Sequence, residues 1–193
     1  MSRVAKAAVG LMAATLVAKI LGFGRELALA SAYGASGVSD AFLVAMNIPA
    51  VIFTAIGTSL GTAFIPLYCE VNANKGEQSS NKFTNNVFNI VVIICIVISV
   101  IGAIFTPQIV KIFAVGFEGE TLRLAIYFTR VMILGLAFLG MSYIMMAYLQ
   151  VKENFIIPGL MSVPYNTCII ISILLSVKTS PYILPWGALI GLL

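Results

Sequence analysis

The sequence predicts an all-α, polytopic transmembrane helical bundle. Hydrophobic residues make up 61% of the 193 positions and charged residues only 9%, whereas soluble domains carry about 25% charged residues. The apolar residues fall in successive runs divided by short polar breaks. Several runs approach or exceed the roughly 20 residues that carry a helix across a bilayer. Mean hydropathy is +1.07. A soluble chain of this composition would expose large apolar patches and aggregate.

About six spans follow in order, within a single transmembrane domain over residues 1–193. The first covers about 4–33 and would be roughly 45 Å long, more than the hydrocarbon core needs. It is therefore expected to tilt or break. Gly22 and Gly24 mark the weak point, because a helical glycine costs about 1 kcal/mol relative to alanine. Arg3 and Lys6 ahead of an apolar stretch mimic a signal peptide. Lys19, Arg25 and Glu26 interrupt the path to the small-residue site at 28–32, so a retained first helix is expected.

The turn "GASGVSD" at 34–40 leads into a second span, about 41–68. Pro49 and Pro66 each remove a backbone donor and are expected to bend it. Gly57 and Gly61 stand at GxxxG spacing, which lets another helix approach closely. Residues 70–86 form the one clearly hydrophilic stretch and read as a solvent loop, helical in part. The third span, 87–105, is uninterrupted. Residues 106–120 read as a partly amphipathic connection at the interface. The fourth span covers 121–149, a polar turn 150–154, the fifth span 155–177, and a further turn 178–181. A sixth begins near 182 and is still apolar at 193. About eight apolar residues after Pro185 are too few to span, so the sequence reads as cut inside a helix and as a fragment of a longer protein.

The formal net charge is +4, with lysines and arginines scattered singly. No basic cluster suits nucleic acid, and membrane lipids are the expected surroundings. With the N-terminus inside, the inner loops hold Arg3, Lys6, Lys75, Lys82 and Lys152, against Lys111, Lys178 and Arg123 on or near the outer side. That bias places the N-terminus in the cytoplasm. There is no histidine, and Cys69, Cys95 and Cys168 are far apart. No disulfide framework, metal set, nucleotide-binding loop or nucleophile–base pair is visible, so no cofactor and no enzyme chemistry are expected.

Five charged residues remain at membrane depth or its edge: Lys19, Arg25 and Glu26 in the first span, Asp40 at the start of the second, and Arg130 in the fourth. A charge at the centre of a membrane helix is disfavoured by about 2.5–3.5 kcal/mol, and such residues usually face a wet cavity or a partner in the bundle. On an ideal helix Lys19 and Glu26 share a face, while Lys19 and Arg25 lie about 120° apart. A break at Gly22–Gly24 would bring the two cations together, where they would suit an anionic ligand. The other reading is a first span that ends near Gly22, with Lys19 snorkelling and Arg25 and Glu26 at the interface. Asp40 reads either as a helix N-cap or as part of a ligand site. Arg130 reads chiefly as a structural or ion-pair residue. Asn47 suits a helix–helix hydrogen bond, and Cys95 and Cys168 read as inert packing residues.

"KILGFGRE" (19–26), "YGASGVSDAFLVAMNIP" (33–49) and "TAFIP" (62–66) together resemble the N-terminus of the MurJ/MviN family. That family sits within the multidrug/oligosaccharidyl-lipid/polysaccharide exporter superfamily. The resemblance implies a lipid II flippase of bacterial peptidoglycan synthesis, in the inner membrane, with fourteen spans and both ends cytoplasmic. This chain would supply most of one half and would need the missing C-terminal half. The resemblance also implies alternating access around a cationic cavity. Lys19, Arg25 and Asp40 would be the substrate-binding residues, with Glu26 and Arg130 structural or ion-pairing. The substrate would be an undecaprenyl-pyrophosphate-linked sugar peptide. Two departures stand out. Lys19 replaces an arginine, which keeps the charge but not the bidentate fork. Some members carry an arginine pair and a glutamate after "NIP", where "AVIFTAIGTSLG" (50–61) is uncharged. The alternatives are another polysaccharide-precursor or drug exporter of the superfamily, or an inactive membrane fragment.

Overall fold

The computed structural model describes the backbone of residues 3–193 and the side chains of residues 10–54 and 57–193. The helices are α1 (Arg3–Tyr33), α2 (Gly37–Lys75), α3 (Glu77–Ile104), α4 (Thr106–Phe113), α5 (Gly119–Ile133), α6 (Leu136–Val151), α7 (Ile156–Leu160), α8 (Ser162–Lys178) and α9 (Leu184–Ile190). A 3-10 turn, Pro181–Ile183, precedes α9. Among the described residues three helical stretches are long and apolar enough to cross a membrane: α2, α3 and Ile156–Lys178, which joins α7 to α8. The bent pair α5–α6 makes a fourth.

The first helix does not break where the sequence suggested. α1 runs unbroken through Gly22 and Gly24. A glycine penalty of about 1 kcal/mol each is too small to interrupt a helix otherwise rich in alanine and leucine. A break in lipid would also leave backbone groups without partners. The interruption falls instead in the fourth span, which is two helices bent by 44° at Leu134–Gly135. Residues 70–86, expected as a partly helical loop, are helical on both sides of a single turn residue: α2 continues to Lys75, Gly76 turns the chain at φ 78°, and α3 starts at Glu77. Glycine adopts that left-handed φ freely. Ser80 and Thr84 satisfy their hydroxyls within this helical turn region, on the carbonyls of Glu77 and Ser80. α2 also runs through Pro49 and Pro66 as one helix.

Neighbour directions follow from the contacts. Along α1, Gly10 meets Ile156, Ala14 meets Gly159, Arg25 meets Asn166 and Tyr33 meets Ser176. Both numbers rise together, so α1 lies parallel to α7–α8. Phe42 against Phe128 (6.1 Å between rings), Phe53 against Tyr143 (4.7 Å) and Tyr68 against Tyr148 (5.9 Å) make α2 parallel to α5–α6. Glu77 with Lys152, Asn81 with Tyr148, Cys95 with Gly140 and Ser99 with Ile133 make α3 antiparallel to the same pair. Successive crossings of one bilayer produce this alternation.

The interior forms two apolar clusters. One gathers Leu29, Phe42, Ile48, Phe128, Ile169 and Leu184; the other gathers Phe53, Phe64, Tyr68, Val91, Leu136 and Ile144. From Ile90 to Ile104 the outer face of α3, with Ile90, Ile93, Val97 and Ile101, is exposed and wholly apolar, as a lipid-facing surface should be. Lipid tails are as apolar as leucine, so helices associate in a membrane through close packing. Glycine provides it at Gly187, where an added Cβ would collide with Ser172 and stand 2.9 Å from the Cys168 carbonyl oxygen. Nothing lies within 4 Å of a Cβ added at Gly22 or Gly24. Gly187→Leu is therefore expected to lower the unfolding free energy by about 1–3 kcal/mol. Gly22→Ala and Gly24→Ala are expected to raise it by up to about 1 kcal/mol each. Thermal unfolding in detergent micelles reads both.

Candidate functional site

α1 meets the bundle along one stripe. Ala14 and Leu29 on that stripe are buried, while Ile20, Phe23 and Leu27 face outward. Arg25 falls on the packed stripe, and its side chain keeps 19% of its surface exposed. Lys19 and Glu26 fall on the open face. Lys19 and Arg25 are thus separated around the helix, because the helix is unbroken.

The Arg25 guanidinium has two partners. Nη1 donates to Asn166 Oδ1 of α8 at 3.2 Å, and Nη2 donates to Glu26 Oε1 at 2.5 Å. Asn166 is buried, and its Nδ2 donates to the Ser162 carbonyl at 2.8 Å. A second polar bond joins the same helix pair: the Tyr33 hydroxyl and Ser176 Oγ lie 2.7 Å apart. Lys19 and Asp40 are exposed and form no ion pair among the described residues. Asp40 is not the N-cap of α2. Ser36 is, its Oγ accepting from the Ser39 N–H at 3.5 Å. Asp40 lies in the first helical turn, where a carboxylate complements the positive end of the helix dipole.

Arg130 stands elsewhere, at the end of α3. Its Nε donates to the Ala103 carbonyl at 3.2 Å, one of the last four carbonyls that a helix cannot satisfy itself. The exchange is reciprocal: Ser99 Oγ of α3 donates at 2.9 Å to the Ile133 carbonyl, which the break after α5 frees. At the opposite end of these helices Lys152 Nζ pairs with Glu77 Oε1 at 2.5 Å. Both lie beyond the apolar stretches. The hydrogen bond and charge of Lys152 hold the Glu77 carboxyl below its ordinary range, and Glu77 holds Lys152 above its own.

Asn166 and Ser99 were missed in the sequence. Asn166 carried a usable signal, being an amide inside an apolar span like Asn47. Asn47 itself does not bridge helices: its Nδ2 donates to the Leu43 carbonyl of its own helix at 2.9 Å. An apolar cavity of about 460 Å³ lies between α2, α5, α6, α8 and α9, lined by Met46, Met132, Tyr143, Met146, Met161 and Tyr165 among others. None of Lys19, Arg25 and Asp40 lines it.

A family model, described as Lipid II flippase MurJ, matches residues 29–193. The chain belongs to the MurJ family. Over 192 residues it is 30% identical to a Buchnera aphidicola (subsp. Baizongia pistaciae) protein named "Probable lipid II flippase MurJ", a match covering 96% of this chain and 37% of that protein. It is 27% identical to the lipid II flippase MurJ of Burkholderia cenocepacia, over 92% of this chain and 36% of the relative. A solved lipid II flippase MurJ in an inward closed conformation superposes with a TM-score of 0.80 at 28% identity, covering 94% of this chain and 39% of that one. The chain therefore spans little more than a third of the length of these MurJ relatives, and it is a multi-pass membrane protein with their helical fold.

Within this MurJ fold, the Arg130 and Ser99 bonds stabilise the broken fourth span from both sides. Ser99→Ala leaves the Ile133 carbonyl unpaired and is expected to lower the unfolding free energy by about 1–2 kcal/mol. Arg130→Ala, at an exposed site, is expected to lower it by less, about 1 kcal/mol. Chemical denaturation in mixed micelles gives the order.

Proposed function

We propose that this chain is part of a lipid II flippase, contributing cations that receive the pyrophosphate of a lipid-linked peptidoglycan precursor as it crosses the bacterial inner membrane. The observation that carries this reading is Arg25. It is a guanidinium held in the seam between α1 and α8 by Asn166 and Glu26, with two donors engaged and the rest of its fork free of partners among the described residues. An arginine fork suits phosphate oxygens. Lys19, one to two turns earlier on the open face of α1, adds a second positive charge. Asp40, at the far end of the α1–α2 turn, would act as a gate or ion-pair partner.

In this reading the protein is a transporter and not a catalyst. The precursor's head group enters beside α1, where Lys19 on the open face and the Arg25 guanidinium reaching out of the α1–α8 seam toward Glu26 offset its charge, and a change of access releases it on the other side. No covalent bond is made or broken. The remainder of the fold, which the MurJ relatives carry beyond this chain's share of their length, supplies the opposite wall. The N-terminus is assigned to the cytoplasm, because Lys75, Lys82 and Lys152 belong to the bundle end where α2, α3 and α6 meet, and lysine-rich loops stay inside.

The test is complementation with the full reading frame in cells depleted of their own lipid II flippase. The parent is expected to restore growth, Arg25→Ala to fail, and Lys19→Ala to restore it weakly, all at matched membrane abundance. Full rescue by both variants would make these charges interfacial anchors and sink the reading.

A further inference from the structure

We propose that Asn166 is a positioning residue: a buried amide on α8 that aims the Arg25 guanidinium of α1 at the anion. The inference rests on the reading of Arg25 given under Proposed function. It adds a residue on a different helix, 141 positions away in sequence.

Three observations carry it. First, Arg25 projects from the packed stripe of α1, between the buried Ala14 and Leu29, and not from the open face that bears Lys19 and Glu26. Left to its helix position alone, the guanidinium would be pressed into an apolar seam. A charge there needs an acceptor. Asn166 is the acceptor α8 offers, with only 6% of its surface exposed. Second, the orientation of the amide is specified. Nδ2 is committed to the Ser162 carbonyl at 2.8 Å, so Oδ1 is the atom presented to Arg25 Nη1 at 3.2 Å. A flipped amide would face its NH₂ at the cation and lose both bonds. Third, the partner is neutral. A carboxylate in the same place would neutralise Arg25 and compete with a phosphate for it. An amide oxygen fixes the guanidinium and leaves its full charge available. Glu26, the charged partner, lies on the open side with 47% of its side chain exposed, where water screens it and an incoming anion can displace it.

The same helix pair supplies its own control. The Tyr33–Ser176 bond also ties α1 to α8, but it involves no charge. If Asn166 merely fastened the two helices, losing either bond would have the same effect.

The experiment uses the full reading frame purified in detergent micelles. Undecaprenyl pyrophosphate is the probe and undecaprenol the blank, with affinity from equilibrium binding and stability from thermal unfolding in the same buffer. Asn166→Ala is expected to weaken pyrophosphate binding about tenfold, the effect of one well-placed bond to a charged group. Tyr33→Phe is expected to change it by less than about twofold at similar loss of thermal stability. Asn166→Asp keeps the acceptor and the shape and strengthens the fastening to Arg25, while it gives up the bond to the Ser162 carbonyl. It is expected to bind at least tenfold more weakly, again as an order of magnitude, while melting close to the parent.

Parent-like binding by Asn166→Ala or by Asn166→Asp would overturn the proposal, as would equal weakening by Tyr33→Phe and Asn166→Ala. Arg25→Ala separates the two levels. If Arg25→Ala abolishes binding and Asn166→Ala does not, the positioning role falls and the cationic cavity stands. If Arg25→Ala binds normally, both fall.

Discussion

The bilayer interior offers no water to a polar group, and the rest of this structure depends on that constraint. Each unsatisfied N–H or C=O in hydrocarbon costs several kcal/mol, so polar side chains find their partners inside the protein. Thr54, Thr58 and Thr62 donate in turn to the carbonyls four residues earlier, at 2.7–3.0 Å. The broken fourth span is tolerated because Ser99 reaches the carbonyl that the break frees. Arg130, whose charge would be expensive in lipid, is placed at a helix end that needs a donor.

Close packing does the work that hydrophobic burial does in water. The outward faces of α3 from Ile90 and of α8 from Ile171 to Val177 are as apolar as the core, so apolarity alone does not say which side of a helix faces inward. Small residues do. Gly140 receives Cys95 and Val91, Gly187 receives Ser172, and Gly159 receives Ala14 and Leu11. These contacts set the register between helices, and that register brings Asn166 level with Arg25.

Much of this was legible in the sequence, and the limits have physical causes. The order of apolar segments and the partly amphipathic connection at 106–120, whose first eight residues form α4, follow from composition and run length, which a bilayer constrains strongly. The charges at 19, 25, 26, 40 and 130 were visible because charge in an apolar run is conspicuous. What could not be read was direction around the helix. Gly22 and Gly24 looked like a break because glycine is a poor helix former, yet nothing packs there to force one, and the hydrogen-bonded ladder prevails. The real break at Leu134–Gly135 sits in an ordinary apolar stretch, and its compensating donor, Ser99, lies 34 residues away. Likewise 70–86 read as a loop with only partial helix because it is polar, although polarity says only that the segment leaves the membrane, not that it stops being helical.

The partnership between the first and eighth helices also bears on biosynthesis. Arg25 emerges from the ribosome 141 residues before Asn166, roughly 10–30 s earlier at ordinary translation rates of about 5–20 residues per second. For that interval the first helix must rest in the membrane without the helix it will pack against, carrying a full guanidinium charge. Glu26 is available from the start, as the next residue in the chain. An ion pair between sequence neighbours contributes little to a finished protein, but it lets a nascent segment enter lipid with one of its charges already matched.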